Sequence, residues 1–176
     1  MAITFRKGSL SDADAFVQFL AEVRADMVQK DWLYLDPPEM IREMMAGGIL
    51  ELWVAMDGDR VAAAFSILHP GLESFNYGYE LGLTKEELLS VVHMDTSAVH
   101  PAYRGQGLQR KMVQTAEEAL SGRGEKILLC TVHPENQYSL RNMQTQGYSI
   151  RKRVEMYGSE RYILQKNIFE KMKNRC

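Results

Sequence analysis

AVHPAYRGQGLQRKM, residues 98–112, carries a β-like run to Val99, breaks it at Pro101, passes two glycines around Gln106 and restarts at once as a helix. A surface turn needs one glycine and seldom places a cationic Arg-Gly-Gln-Gly segment before a helix N-terminus. Backbone N–H groups freed by glycine at the positive end of a helix, with Arg104 beside them, are the ingredients of a phosphate cradle. Two familiar phosphate loops do not fit. A P-loop ends in Gly-Lys-Ser/Thr, and a dinucleotide fingerprint has a third glycine where Arg110 stands. Turn and cradle both stay open at this point, and the surrounding pattern has to separate them.

Working outward, VVHMDTSAV (91–99) reads as the strand that feeds the loop, and GLQRKMVQTAEEAL as the helix that leaves it. Leu108, Met112, Ala116 and Ala119 face inward on that helix, and Gly122 and Gly124 end it. KILLCTV (126–132) is almost continuously apolar, which suits a strand buried on both faces. HPENQYSLRNMQTQG gives a short helix stopped at Gly147, and YSIRKRVEMYG with RYILQKNIF gives a hairpin about Gly158-Ser159.

Toward the N-terminus, ITFRK (3–7) alternates as a strand, and Ser11 and Asp14 have capping-box spacing. Phe16, Leu20, Val23 and Met27 form one stripe on a helix of about five turns. Pro37-Pro38 opens a second helix that ends at Gly47-Gly48. ILELWVAM and RVAAAFSIL flank Asp57-Gly58-Asp59, a hairpin signal, and residues 69–83 read as a loop followed by a short helix at TKEELLS. The order β-α-α-β-β-β-α-β-α-β-β predicts one α/β (α+β) domain over 1–176, with a mixed, mostly antiparallel twisted sheet and helices on both faces.

Composition narrows the function classes. With 45% hydrophobic residues the chain can bury a core, and 21 basic against 23 acidic residues leave no field that favours nucleic acid or an anionic membrane. Two cysteines are too few for a disulfide framework, and His69, His100 and His133 lack metal-ligand spacing. The N-terminal residues lack a signal-peptide core, so a cytoplasmic protein is expected. The basic tail KNIFEKMKNRC reads as solvated charge.

The segment VHPAYRGQGLQ resembles the acetyl-coenzyme A signature of the Gcn5-related N-acetyltransferase (GNAT) superfamily, Arg/Gln-x-x-Gly-x-Gly/Ala after a strand. Arg104 and Gly107 match, whereas Gln109 stands where the family has Gly or Ala. HPENQYSLRNMQTQGYSI is similar to the family's second cofactor segment, with Asn136 and Gly147-Tyr148 on pattern. The element order agrees as well. The resemblance implies an acetyl-CoA site made of Ser97, Ala98, Val99, Arg104, Gly105, Gln106, Gly107, Leu108, Gln109 and Asn136. It also implies that the strands 91–99 and 126–132 splay apart, with N–H groups at Ala98 and Val99 serving pantetheine or the thioester carbonyl.

An alkyl amine with a pKa near 10.4 is only about one part in a few thousand neutral at pH 7, so transfer to it is helped by a proton acceptor. Strand alternation puts His93, Asp95, Ser97 and Val99 on one face. The resemblance points to Asp95 or His93 as base, with Glu80 in the preceding loop as a third candidate. Trp32, Tyr34, Phe75, Tyr77 and Tyr79 among Asp31, Asp36, Glu73 and Glu80 suit the walls of a site for a cationic amine, or simply pack loops on the core. The family's usual leaving-group Tyr is replaced here by Met143, and Tyr138 lies on another helix face. Two functions are therefore expected: an N-acetyltransferase acting on a primary amine of a small molecule or protein, or a catalytically silent acyl-CoA-binding sensor. The quaternary state is expected to be a monomer or a homodimer.

Overall fold

The computed structural model describes residues 3–124 and 126–169; the basic tail beyond Phe169 lies outside them. Its strands are β1 (Thr4–Lys7), β2 (Leu50–Asp57), β3 (Arg60–Leu68), β4 (Val91–Val99), β5 (Lys126–Val132), β6 (Ser149–Met156) and β7 (Ser159–Ile168). Its helices are α1 (Ala13–Asp26), α2 (Pro38–Ala46), α3 (Lys85–Ser90), α4 (Leu108–Ser121) and α5 (Gln137–Thr145). The strands form one sheet in the order β1-β2-β3-β4-β5-β7-β6, in which only β4 and β5 run parallel. This is the mixed, mostly antiparallel sheet that the element order predicts.

Local chemistry places the ends with small shifts. Asp12, not Asp14, closes the turn before α1: its carboxylate accepts the Ser9 N–H at 2.7 Å and pairs with Arg6. α1 accordingly spans 14 residues and is shorter than the stripe suggests, with Met27 already extended. In the last hairpin the turn is Tyr157-Gly158, and Tyr157 is the one non-glycine residue with positive φ, at 58°, among those described. Ala119 is only half-buried on α4, because Val113 and Leu120 take the inward positions with Leu108, Met112 and Ala116.

The sheet is covered on both faces. On one, α4 and α5 seal a cluster that includes Phe65, Ile67, Val92, Met94, Leu128 and Cys130. On the other, Phe16, Phe19, Leu20 and Val23 of α1 and Ile41 of α2 cover Leu52, Val54, Ala64 and Ala98. Further along this second face a smaller cluster holds Tyr77, Val91, Leu129 and Ile163. The 3₁₀ turn Tyr77–Leu81 lies over it.

β4 and β5 stay in register over only three pairs, Val91↔Ile127, Val92↔Leu128 and His93↔Leu129. Beyond that point they diverge, and the cause lies in β4. Phe65 pairs with Ser97 but Ile67 with Met94, so Asp95 and Thr96 together oppose Ser66 as a β-bulge. Ser66, fully buried, compensates the interrupted ladder by accepting the Thr96 N–H at 3.1 Å and donating to Asp95 at 2.7 Å. The bulge also resets alternation: Met94 packs on the α4 face and Ala98 on the α1 face. The expectation that His93 and Val99 share a face is thereby corrected.

Leu129 closes the short parallel seam and is fully buried. Leu129→Ala should cost about 2–5 kcal/mol, lowering Tm by roughly 5–15 °C in a thermal melt. A loss below about 1 kcal/mol would mean that the seam is not close-packed.

Candidate active site

The loop between β4 and α4 has the features of an anion cradle. Gly105 and Gly107 have φ of 79° and 71°, the left-handed region that glycine enters without strain, and a Cβ on either would meet open space. Gly107 is the N-cap of α4, and no side chain caps that helix. The first backbone bond of α4 runs from Lys111 N–H to Gly107 C=O at 3.1 Å. Among the described residues, the N–H groups of 105–110 thus find no acceptor and project from a helix N-terminus. Arg104, exposed at the mouth of the loop, is held by Asp26 at 2.9 Å. Gln109 is half-buried and adds its backbone N–H to the same row.

Next to the cradle lies the open edge of β4. His100 donates its N–H to Ala62 C=O in β3 at 2.9 Å. Alternation along an antiparallel ladder makes Ala98, opposite Ala64, the next residue bonded to β3. The N–H groups of Ser97 and Val99 therefore point away from β3, into the space where β5 has diverged. This corrects the expectation that Ala98 and Val99 both serve as free donors. Asn136, across that space, caps α5 by accepting the Ser139 N–H at 3.1 Å through Oδ1, which leaves its amide NH₂ available.

On the second sheet face, in the seam between the α1–α2 cover and the Tyr77 cluster, lies a cavity of about 60 Å³. Asp95, Thr96 and Thr131 line it from the sheet, Trp32, Tyr34 and Asp36 from the α1–α2 connection, and Tyr77, Tyr157 and Arg161 from the far side. The Tyr34 and Tyr157 rings stack with centroids 4.5 Å apart, and the Tyr77 and Tyr157 hydroxyls share a hydrogen bond of 2.5 Å. Burial pushes both phenols up, so they remain protonated. Asp36 is also raised by burial.

The three candidate bases fall into different environments. Asp95 is in the cavity wall. Ser66 and Thr96 hydroxyls donate to its Oδ2 at 2.7 and 3.2 Å, and burial pushes its carboxyl up to about 6 against those bonds. His93 is fully buried beneath Tyr77, ring on ring at 3.7 Å, and its Nε2 accepts the Tyr77 N–H at 3.1 Å. Burial lowers it to about 3, so it is a neutral packing group outside the cavity lining. Glu80 is exposed and bound to Lys152 at 2.7 Å, also outside the lining.

Of the aromatic and acidic set, Trp32, Tyr34, Asp36 and Tyr77 converge, whereas Phe75, Tyr79 and Glu73 do not line the cavity. Met143 is in the core and Tyr138 stands 87% exposed. Tyr157, Arg161 and Thr131 escaped sequence reasoning. The tight turn at Tyr157-Gly158 was the available signal, since it folds the last hairpin back toward the sheet centre.

Among the described residues no helix is long and apolar enough to cross a membrane, and no group of three or more His, Cys, Asp or Glu side chains could hold a metal. Residues 18–148 match the model of the Acetyltransferase (GNAT) family. The ribosomal-protein-S18-alanine N-acetyltransferase from Escherichia coli superposes with a TM-score of 0.73 at 15% identity, covering 98% of both chains. NAA60 of Arabidopsis thaliana, solved in complex with acetyl-CoA, gives 0.71 at 16% identity over 95% of this chain and 99% of that one. A GNAT-family acetyltransferase from Streptococcus pneumoniae gives 0.71 at 17%, over 95% and 99%. A search of curated proteins returned no match.

The two shifted groups act oppositely on stability. His93 has a folded pKa below its unfolded value, so its contribution is full above about pH 6.5 and is lost as pH falls toward 3. Asp95 has a raised folded pKa, so its ionisation costs stability above pH 6 and the cost is relieved as pH falls toward 4. Asp95→Asn should therefore raise Tm at pH 7–8, by at most about 3 kcal/mol of stability, and lose that advantage by about pH 4. Melts across this range test it; an advantage independent of pH would mean that ionisation of Asp95 is not its source.

Proposed function

Because the chain belongs to the Acetyltransferase (GNAT) family, we propose that it transfers an acetyl group from acetyl-CoA to a primary amine by direct attack, with Asp95 as proton acceptor. The observation that carries this reading is an alignment along β4 and the loop that follows it. The free N–H row of residues 105–110 follows the open edge of β4, and Asp95 lies further back along the same strand, in the cavity wall.

Acetyl-CoA supplies an activated thioester; the rest is done by the chain. The N–H groups of 105–110 bind the diphosphate, with Arg104 exchanging Asp26 for phosphate oxygen. Gln109 is tolerated because its backbone, not its side chain, makes the contact. Ser97 and Val99 N–H groups hold the pantetheine and the thioester carbonyl, and a fixed backbone donor stabilises negative charge developing on that oxygen. The Asn136 amide steadies the cofactor arm.

Asp95 takes the proton that the attacking amine must lose, and a carboxyl raised to about 6 is ionised at neutral pH yet more basic than an ordinary aspartate. A route through an acyl-cysteine lacks support. Cys130 is buried in the core with its thiol pushed up to about 12, so it offers no thiolate near neutrality. Departing CoA thiolate, with a thiol pKa near 8.5, leaves without a dedicated acid, which makes Met143 compatible with turnover.

Saturation with acetyl-CoA at about 100 times Kd should add about 2.7 kcal/mol, a Tm shift of roughly 5–10 °C that ATP and NAD do not give. Gly107→Arg should fold with about 1–2 kcal/mol of left-handed strain and lose that shift. Asp95→Asn should lower kcat/KM by about 10²- to 10⁴-fold and remove the inflection near pH 6 expected of the unsubstituted chain. A full thermal shift with no CoA release on any amine would instead identify an acyl-CoA-binding sensor, and no shift at millimolar acetyl-CoA would overturn the cradle.

A further inference from the structure

Arg161 is the group in the cavity that amine binding leaves unexplained. Only 4% exposed, it sits on β7 two residues from Ile163 and thus faces the same side of the sheet. Its Nη1 and Nη2 donate to the backbone carbonyls of Trp32, at 3.3 Å, and of Asp31. Its buried Nε has no partner, and among the described residues no carboxylate oxygen comes within salt-bridge distance of the guanidinium. Trp32, on the same wall, likewise keeps its indole N–H buried and unpartnered.

Taking a guanidinium out of water with no anion in contact is costly, and two carbonyl dipoles, the more distant Asp31 carboxylate and the Tyr157 ring 5.8 Å away compensate only in part. A chain that needed only to pin the turn at 30–32 could do so with a neutral amide. The cavity instead combines a buried cation, unused donors and two carboxylates, Asp36 and Asp95, in about 60 Å³. This charge set is a poor match for a diamine, whose second ammonium would oppose Arg161. A peptide N-terminus offers the guanidinium no charge. It matches a compact ligand that carries one ammonium and one carboxylate.

We propose that the acceptor is a small zwitterion, an α-amino acid or a near analogue, whose carboxylate is held by Arg161 while its amine faces Asp95. This rests on the acetyl-transfer reading above and specifies its acceptor. The wall of Trp32 and the stacked Tyr34 and Tyr157 rings then contacts the amino-acid side chain. The bound ammonium gives one proton to Asp95 and becomes the attacking amine; its nitrogen bonds to the acetyl carbon as the C–S bond breaks, and the second nitrogen proton leaves with the CoA thiolate as free thiol or to solvent.

The test pairs each standard α-amino acid with its own carboxamide as acceptor, following CoA release with acetyl-CoA. The amide removes the carboxylate but keeps size and side chain. Its amine is less basic and so more often neutral at pH 7, which means that a preference for the free acid has to come from binding. At least one amino acid should be favoured over its amide by about 10- to 100-fold in kcat/KM, as a charge-assisted hydrogen-bond pair would give. Arg161→Gln should abolish that preference, raising KM for the free acid by a larger factor than for its amide, and Arg161→Lys should keep part of it.

Equal or better rates with amides would overturn the proposal. So would an Arg161→Gln variant that slows acid and amide alike, the mark of a residue that only pins the turn. Turnover confined to diamines or peptides, or none on any acceptor while the acetyl-CoA thermal shift persists, would also overturn it, and the family reading would survive. Loss of the thermal shift itself would take the cofactor reading down first, and this one with it.

Discussion

The site depends on one arrangement in β4: two residues set against one, with Ser66 holding the surplus. Without the bulge, Asp95 and Thr96 would lie on opposite faces of the sheet. With it, both line the cavity, and β4 turns away from β5 after three pairs. The resulting gap exposes one edge of β4 without a solvent-facing sheet edge at that place, because α4 and β5 flank it. The same local irregularity thus creates a row of unpaired backbone donors and aims a carboxyl beside it.

Burial then divides the labour between residues that look alike in sequence. His93 and Asp95 are two apart on one strand, yet one is stacked under a phenol ring and the other borders a cavity. Desolvation disfavours charge in both, and it moves them in opposite directions because their charged forms are on opposite sides of the titration. The histidine is left neutral and fixed. The aspartate is left ionised at neutral pH but primed to accept a proton, with Ser66 and Thr96 limiting how far it rises.

Much of the architecture was legible in the sequence. The glycines at 105 and 107, the apolar run 126–132 and the Asp-Gly turn each act over a few residues, so their positions follow from local chemistry. The left-handed glycine turn before α4 is legible for that reason. What failed was information that depends on a partner strand. Nothing between 91 and 99 announces a bulge, since the serine that supports it is on β3, and so the assumed alternation put His93 and Val99 together. Glu80 looked available because Lys152 is far away in sequence. Tyr157 and Arg161 read as an ordinary hairpin, and only the return of β7 beside β5 brings them to the site.

The narrowness of the β4–β5 seam also bears on how the chain assembles. β2 with β3 and β6 with β7 are joined by tight turns, so each half of the sheet can grow from a local hairpin. Joining the halves closes a long crossover, and three residue pairs repay little of that loop entropy. The reward comes mainly from α4, whose Leu108, Met112, Val113, Ala116 and Leu120 share one cluster with Phe65 of β3 and with Leu128 and Leu164 of β5 and β7. The helix that follows the glycine loop is therefore also the clasp between the two halves of the sheet. The side chains that hold the sheet together thereby also fix where that loop sits.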